Sequence, residues 1–176
     1  MRLHNKSLVM VEVIDNFLPE HQFKTLQSIM MGEEFIWFYK DYIAYEGVED
    51  GQYQFTHTFW ASRGVDPCAE IDAGSTFLKL VESFQELGRM HRIKSNLRTR
   101  TIFHRRSSYH IDGVPNCTKT AIFYVNTSNG WTQFKRGGKK IKSVANRLLV
   151  FDSNLEHAGF SCTDKKRRVV INFNYE

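Results

Sequence analysis

From Leu97 to the C-terminus the chain reads as a run of short extended segments punctuated by turn signals, and this constrains the fold more than any other feature. Strand candidates fall at 97–104, 107–111, 119–126, 130–135, 138–144, 147–152, 155–160 and 168–175. Asp112-Gly113, Ser128-Asn129-Gly130, Arg136-Gly137-Gly138 and Asp152-Ser153-Asn154 separate several of them, with residues that tolerate positive φ or fold a side chain back on the local backbone. Strands this short and this closely spaced point to a sandwich or barrel, not to parallel βαβ units. The expected core is a jelly roll, that is, a double-stranded β-helix. An aromatic content of 14%, with 14 Phe and 7 Tyr, suits such a strand-rich chain.

The N-terminal half mixes patterns. LVMVEVI (8–14) reads as a strand, and Pro19 is well placed for the first turn of a helix whose apolar stripe is Phe23, Leu26 and Met30. Aromatic segments at 35–45 and 53–60 read as strands, with Tyr53, Phe55, His57 and Phe59 alternating on one face. Phe77, Leu80, Val81, Phe84 and Leu87 predict a second helix over 75–87. Each helix has one apolar stripe, so both are expected to pack on the outside of one sheet. The fold class is therefore mainly β (α+β). At 176 residues a single domain is expected, with 1–96 supplying N-terminal strands and supporting helices and 97–176 the jelly-roll core.

No apolar run approaches the roughly 20 residues of a membrane span. Glu12 and Asp15 fall where a signal peptide would need an unbroken apolar core. Cys68, Cys117 and Cys162 are odd in number and lack CxxC spacing, which indicates neither a disulfide framework nor a zinc knuckle. A cytoplasmic protein with reduced cysteines is expected. Charge is divided unevenly: residues 1–88 hold 6 Lys/Arg against 14 Asp/Glu, and residues 89–176 hold 18 against 5. The basic half could serve a polyanionic partner such as nucleic acid, or it could complement the acidic half and receive an anionic cosubstrate. Its charges are scattered over several strands and turns without the interleaved aromatics that stack bases, so a nucleic-acid partner is not expected.

The chemistry concentrates in three segments. In Tyr109-His110-Ile111-Asp112-Gly113, residues i and i+2 of an extended segment face one side, so His110 and Asp112 converge while Gly113 permits a sharp turn. An imidazole and a carboxylate so placed make two legs of a 2-His-1-carboxylate facial triad, which leaves coordination positions open on iron. The motif is short enough to arise by chance. A second segment adds to it: Arg147 to Asp152 is a strongly apolar strand, followed by a polar turn and His157 beside Ala158 and Gly159. Eleven residues after His157, Arg168 opens a last strand, and a guanidinium suits bidentate binding of a carboxylate. Arg167 is its rival. Parity favours Arg168, which shares a face with Val170, Asn172 and Asn174, whereas Arg167 shares one with Val169, Ile171, Phe173 and Tyr175.

Taken together, the stretch from about Leu97 to Tyr175 resembles the iron(II)/2-oxoglutarate-dependent oxygenase superfamily. It looks most like prolyl-4-hydroxylase-type members and their small bacterial and phage relatives. The resemblance rests on His110-x-Asp112, Tyr124-Val125-Asn126, Phe151-Asp152-Ser153 followed by His157-Ala158-Gly159, and the terminal Arg168 to Phe173 strand, in that order and spacing. Asp15 to Gln27 is also similar to the opening helix of such proteins. The resemblance implies that His110, Asp112 and His157 bind Fe(II). It implies that Arg168, with Tyr124 beside it, holds the far carboxylate of 2-oxoglutarate, and that O2 takes the remaining metal position. The implied reaction is hydroxylation of a small-molecule or peptidyl substrate, peptidyl proline being the leading guess, with succinate and CO2 as co-products. An intact Asp112 favours hydroxylation over halogenation. Two positions depart from the pattern. Gly130 is followed by Trp131, whose indole is expected to narrow the pocket mouth. Asn174 stands where the nucleic-acid demethylase branch carries a second arginine, which argues against that branch. Two other readings stay open: a non-catalytic jelly-roll module that binds nucleic acid or another polyanion, and a cupin-like metal enzyme without 2-oxoglutarate.

Overall fold

A computed structural model of the chain describes residues 10–44, 51–62, 84 and 87–176. Its elements are β1 (Val11–Ile14), α1 (Glu20–Met31), β2 (Phe38–Lys40), β3 (Gln54–Ala61), β4 (Met90–Thr99), β5 (Lys119–Tyr124), β6 (Trp131–Phe134), β7 (Lys140–Lys142), β8 (Arg147–Asp152), β9 (His157–Gly159) and β10 (Arg167–Tyr175). Seven strands form an antiparallel sheet in the order β1-β8-β5-β10-β4-β3-β2, and three form a smaller sheet, β7-β6-β9. Two antiparallel sheets facing each other make the expected jelly roll.

The sequence of β10 shows why it lies near the middle of the large sheet. Both of its faces are apolar enough to be covered, and each contacts a different layer. Val169, Ile171 and Phe173 join Ala121, Phe123, Val125, Leu148 and Val150 in a core that also takes Phe23, Leu26 and Met30 of α1. The helix is thus laid on the outer face by its apolar stripe, as expected. Gln27 ties it there by donating to the Val125 carbonyl at 2.7 Å. The opposite parity belongs to the space between the sheets: Val170 joins Ile122, Tyr124, Leu149 and Phe151, together with Phe134 and Ile141 of the small sheet. Pro19 is the N-cap of α1, one position before its first helical residue, and its carbonyl accepts from the Phe23 N–H at 3.0 Å.

Several expected elements change extent. The strand placed at 97–104 begins at Met90 and ends at Thr99. Its cavity-facing residues are Arg92, Lys94, Asn96 and Arg98, and His91 and Ser95 interrupt the apolar residues of its other face, so no apolar alternation marks its start. The strand expected over 35–45 contracts to Phe38–Lys40. The segment 107–111 is no regular strand; together with Arg106 it meets the edge of β9 through two isolated bridges, Arg106 with Phe160 and His110 with His157. Most of the second helix expected at 75–87 lies outside the described residues. Phe84 is helical, buried, and stacked on Phe173 with ring centroids 4.2 Å apart, which fits its place in that stripe. Among the described residues no helix is long and apolar enough to cross a membrane.

Candidate active site

A cavity of about 330 Å³ opens between the two sheets. The even-numbered residues of β10 line it: Arg168, Val170 and Asn172, beside Ile122 of β5 and Thr132 of β6. His110, Asp112 and His157 lie in its wall, and their potential ligand atoms fall within 4.8 Å of one another.

The backbone places the two imidazoles. His110 N donates to the His157 carbonyl and His157 N to the His110 carbonyl, both at 3.0 Å. Residues that exchange both bonds stand directly opposite and project to the same side of the ladder. The ring centroids are 4.8 Å apart. Each ring also sets its Nδ1 3.0 Å from a carbonyl two residues back, Ser108 for His110 and Leu155 for His157. Only a protonated Nδ1 can make that bond, so Nε2 keeps its lone pair and both rings are prepared as Nε2 ligands. Burial lowers the pKa of His157, and the nearby His110 acts the same way; together they outweigh the Asp112 carboxylate, so the neutral ring that a metal requires is favoured.

Asp112 follows two residues after His110, with Gly113 at φ +62° supplying the turn expected there. Its side chain is only 6% exposed. Burial raises its pKa, but His157, Arg92, His110 and the Asn174 amide together hold the carboxyl below its ordinary value. An imidazole pair, one buried and one half-buried, with one ionised carboxylate suits a borderline divalent metal such as iron, and leaves room for further ligands.

The far end of the cavity is built around Arg168, only 4% exposed. Its Nε donates to Ser143 Oγ at 2.7 Å and a terminal nitrogen to Thr132 Oγ1 at 3.1 Å. The guanidinium carbon sits 5.5 Å from the Tyr124 ring centroid, and the Tyr124 hydroxyl donates to the same Thr132 oxygen at 2.9 Å. Burial raises the Tyr124 pKa and lowers that of Arg168. The phenol therefore stays neutral, and an arginine's charge is too intrinsic to be lost. Among the described residues Arg168 has no carboxylate partner, and a buried charge left unpaired is costly. Five cationic side chains line the cavity (Lys40, Arg92, Lys94, Arg98 and Arg168), and among the described lining residues the sole carboxylate is Asp112. That balance suits an anionic ligand.

Asn126 explains why the Tyr-Val-Asn motif matters here. Its amide donates to the Arg167 carbonyl and accepts from the Val169 N–H, both at 2.9 Å. The clasp grips the backbone on either side of Arg168 and fixes which residue faces the cavity. Arg167 turns to the other face, where its guanidinium donates to the Met31 carbonyl. Gly130 serves the same end. A Cβ there would stand 2.8 Å from Arg168 Cδ and from the Phe160 carbonyl oxygen, closer than real Cβ contacts come, so only glycine lets the arginine stem pass. Trp131 does not narrow the cavity as expected. It alternates with inward-facing Thr132 and stacks outside on Phe160, with centroids 4.2 Å apart.

The structure thus brings together His110, Asp112 and His157 at one end of the cavity and Arg168 and Tyr124 at the other. Sequence reasoning missed Thr132 and Ser143, which hold Arg168, and Arg92 and Thr120, which contact Asp112. Strand parity could have found Thr120, which shares a face with Ile122 and Tyr124.

The sequence matches no protein-family model and no curated protein. The fold has clear counterparts among solved structures. A 2OG-Fe(II) oxygenase family oxidoreductase from Burkholderia pseudomallei is similar at a TM-score of 0.68 and 10% identity, over 93% of this chain and 84% of that one. The viral collagen prolyl hydroxylase of Paramecium bursaria Chlorella virus-1, in complex with 2OG, gives 0.57 at 15% identity over 93% and 94%. A prolyl hydroxylase from Trichoplax adhaerens, in complex with a hypoxia inducible factor oxygen degradation domain peptide fragment, gives 0.61 at 13% over 94% and 83%. The chain therefore has the jelly-roll fold shared by prolyl hydroxylases and 2OG-Fe(II) oxygenases.

Proposed function

We propose that this chain is an Fe(II)- and 2-oxoglutarate-dependent dioxygenase that hydroxylates a peptidyl proline, another amino acid or a related small molecule. The observation that carries this reading is the pairing of two features in one cavity. His110, Asp112 and His157 converge at one end, and Arg168 sits buried at the other with no carboxylate partner among the described residues. A dicarboxylate cosubstrate that reaches from a metal to a guanidinium would satisfy both. The fold shared with oxygenases solved with 2OG or a peptide bound supports the same reading.

Fe(II) held by the three ligands would supply oxidative chemistry coupled to decarboxylation of the cosubstrate, yielding succinate and CO2. The chain's own residues do the rest. The Nδ1 hydrogen bonds of His110 and His157 fix their rings. Thr132 and Ser143 hold the Arg168 fork for the far carboxylate. The neutral phenol of Tyr124 lies against the same end without adding negative charge. A non-catalytic polyanion-binding module would give the convergent triad and the buried Arg168 no purpose.

The test is a 2-oxoglutarate turnover assay with Fe(II) and ascorbate across proline-containing peptides, free amino acids and other candidate small molecules. Succinate release should rise above the uncoupled background with the true substrate. No succinate release with any metal-loaded preparation would sink the assignment.

A further inference from the structure

The three candidate metal ligands are not held in the same way. His110 and His157 are fixed by a reciprocal pair of backbone hydrogen bonds, but Asp112 lies beyond the last bridge, before a turn, where no ladder holds it. The terminal torsion of an aspartate is broad and soft. Something other than the backbone must therefore hold the Asp112 carboxylate.

The large sheet supplies it. Asn174 on β10 stands directly opposite Thr120 on β5 and Arg92 on β4 in the strand register, so three polar side chains form one row across adjacent strands. Asn174 Nδ2 donates to Asp112 Oδ2 at 2.8 Å and to Thr120 Oγ1 at 3.1 Å. Its Oδ1 accepts from Arg92 Nε at 3.0 Å. Thr120 Oγ1 lies 3.3 Å from the same carboxylate oxygen, and Arg92 reaches the other oxygen at 3.6 Å. Arg92 also prevents the amide from turning over, because a flipped amide would set N–H against guanidinium and oxygen against carboxylate. Asn174 is fully buried. A buried amide with every polar atom committed, aimed at the one ligand without backbone support, acts on that ligand.

We propose that Asn174, locked by Arg92, is a positioning residue that orients the Asp112 carboxylate for metal binding; this rests on the reading of Asp112 as a metal ligand. Partners behind a metal ligand commonly affect metal affinity by 10- to 100-fold. The experiment titrates Co²⁺ into the metal-free protein and follows its visible ligand-field bands, with circular dichroism to confirm folding. Asn174→Ala should weaken Co²⁺ binding by about 10-fold or more. Arg92→Met, at the partly exposed end of the row, should weaken it by a smaller factor and shift the bands in the same sense, with Arg92→Lys restoring part of the loss. Should Asn174→Ala fail to fold, Arg92→Met decides: wild-type affinity and spectrum would overturn the proposal. So would wild-type Co²⁺ binding by folded Asn174→Ala. Asp112→Ala separates this proposal from the reading beneath it. If Asp112→Ala binds Co²⁺ normally, the metal site itself is misassigned; if it loses binding while Asn174→Ala and Arg92→Met keep it, only the clamp fails.

Discussion

Arg168 and Tyr124 meet at a single hydroxyl: the guanidinium and the phenol both donate to Thr132 Oγ1, at 3.1 and 2.9 Å. Thr132 is thereby used as an acceptor twice, and its own proton remains available to a ligand in the cavity. The arrangement points one cation, with one hydroxyl beside it, into a space where the sole carboxylate among the described lining residues is Asp112, at the opposite end. Arg168→Ala is therefore expected to raise the KM for 2-oxoglutarate while leaving metal affinity nearly intact. Loss of one charge-assisted contact is about 2–4 kcal/mol, or tens- to several-hundred-fold in affinity. Arg167→Ala should bind the cosubstrate normally, since Arg167 faces α1. Steady-state kinetics on both variants, with Co²⁺ titrations alongside, checks the pair; a KM effect confined to Arg167→Ala would reassign the site.

Cys117 offers a pH test on the same side of the fold as Asp112. Burial pushes its thiol up to about 11, with Arg92 opposing and Asp112 and Glu176 reinforcing the shift. Only the thiolate reacts with alkylating agents. At pH 8 a thiol of that pKa should be modified about 100-fold more slowly than an ordinary thiol of pKa near 9, with the rate climbing tenfold per pH unit until about pH 11. Iodoacetamide labelling followed by peptide mass spectrometry measures this. A rate at Cys117 that levels off by pH 9 would show that the side chain is more open to water than its surroundings indicate.

Much of this arrangement could be read from residue types because strand parity is rigid. A period of two puts His110 with Asp112, and Arg168 with Val170, Asn172 and Asn174, from residue order alone. What parity could not supply was pairing across strands. The row Thr120-Asn174-Arg92 exists only because β5, β10 and β4 are neighbours in one register, and those strands are dozens of residues apart in sequence. Asn174 is legible as a member of the Arg168 face and as a missing arginine, not as a partner of Asp112. The start of β4 was hidden for a related reason: its cavity face is polar, and buried His91 and Ser95 interrupt Ile93 and Leu97 on its other face, so apolar residues do not recur at every second position. The segment 107–111 looked like a strand yet is only bridged, since the Ser108 carbonyl is used by the His110 ring. The resemblance sets Trp131, next to Gly130, at the mouth, but alternation within β6 turns its indole outward.

Stability near the site depends on Asn146, which joins the entry of α1 to β8. Its side chain accepts from the Leu18 N–H at 2.9 Å and donates to the Leu18 carbonyl at 2.8 Å, both buried. Its own backbone sits at φ +61°, which asparagine tolerates better than most residues. Asn146→Ala loses both bonds, leaves buried backbone groups unpaired and adds strain, for an expected loss of about 2–4 kcal/mol. Asn146→Gly relieves the strain but not the lost bonds, so it should be the less destabilised of the two. Urea unfolding of both variants tests this; equal stabilities would mean that the left-handed backbone contributes nothing.

The metal reading makes the last prediction. Asp112→Ala and His157→Ala should each abolish 2-oxoglutarate turnover while the chain stays folded, because neither side chain belongs to the two apolar clusters. Removing Asp112 does leave Asn174 and Arg92 without their acceptor, so a modest loss of metal-free stability, about 1–3 kcal/mol, is expected there. Metal should also stabilise the wild-type fold, since an ion that binds the native state alone adds RT ln(1 + [L]/Kd), about 2.7 kcal/mol at 100 times Kd. Thermal melts with and without Co²⁺, followed by chelation with EDTA, should show the midpoint rise and then fall back. Activity lost to EDTA should return with Fe(II). In Asp112→Ala the Co²⁺-dependent rise should vanish. If both variants melt at the wild-type metal-free temperature and still gain the full Co²⁺ stabilisation, then His110, Asp112 and His157 form a polar cluster that binds no metal, and the proposed chemistry fails with them.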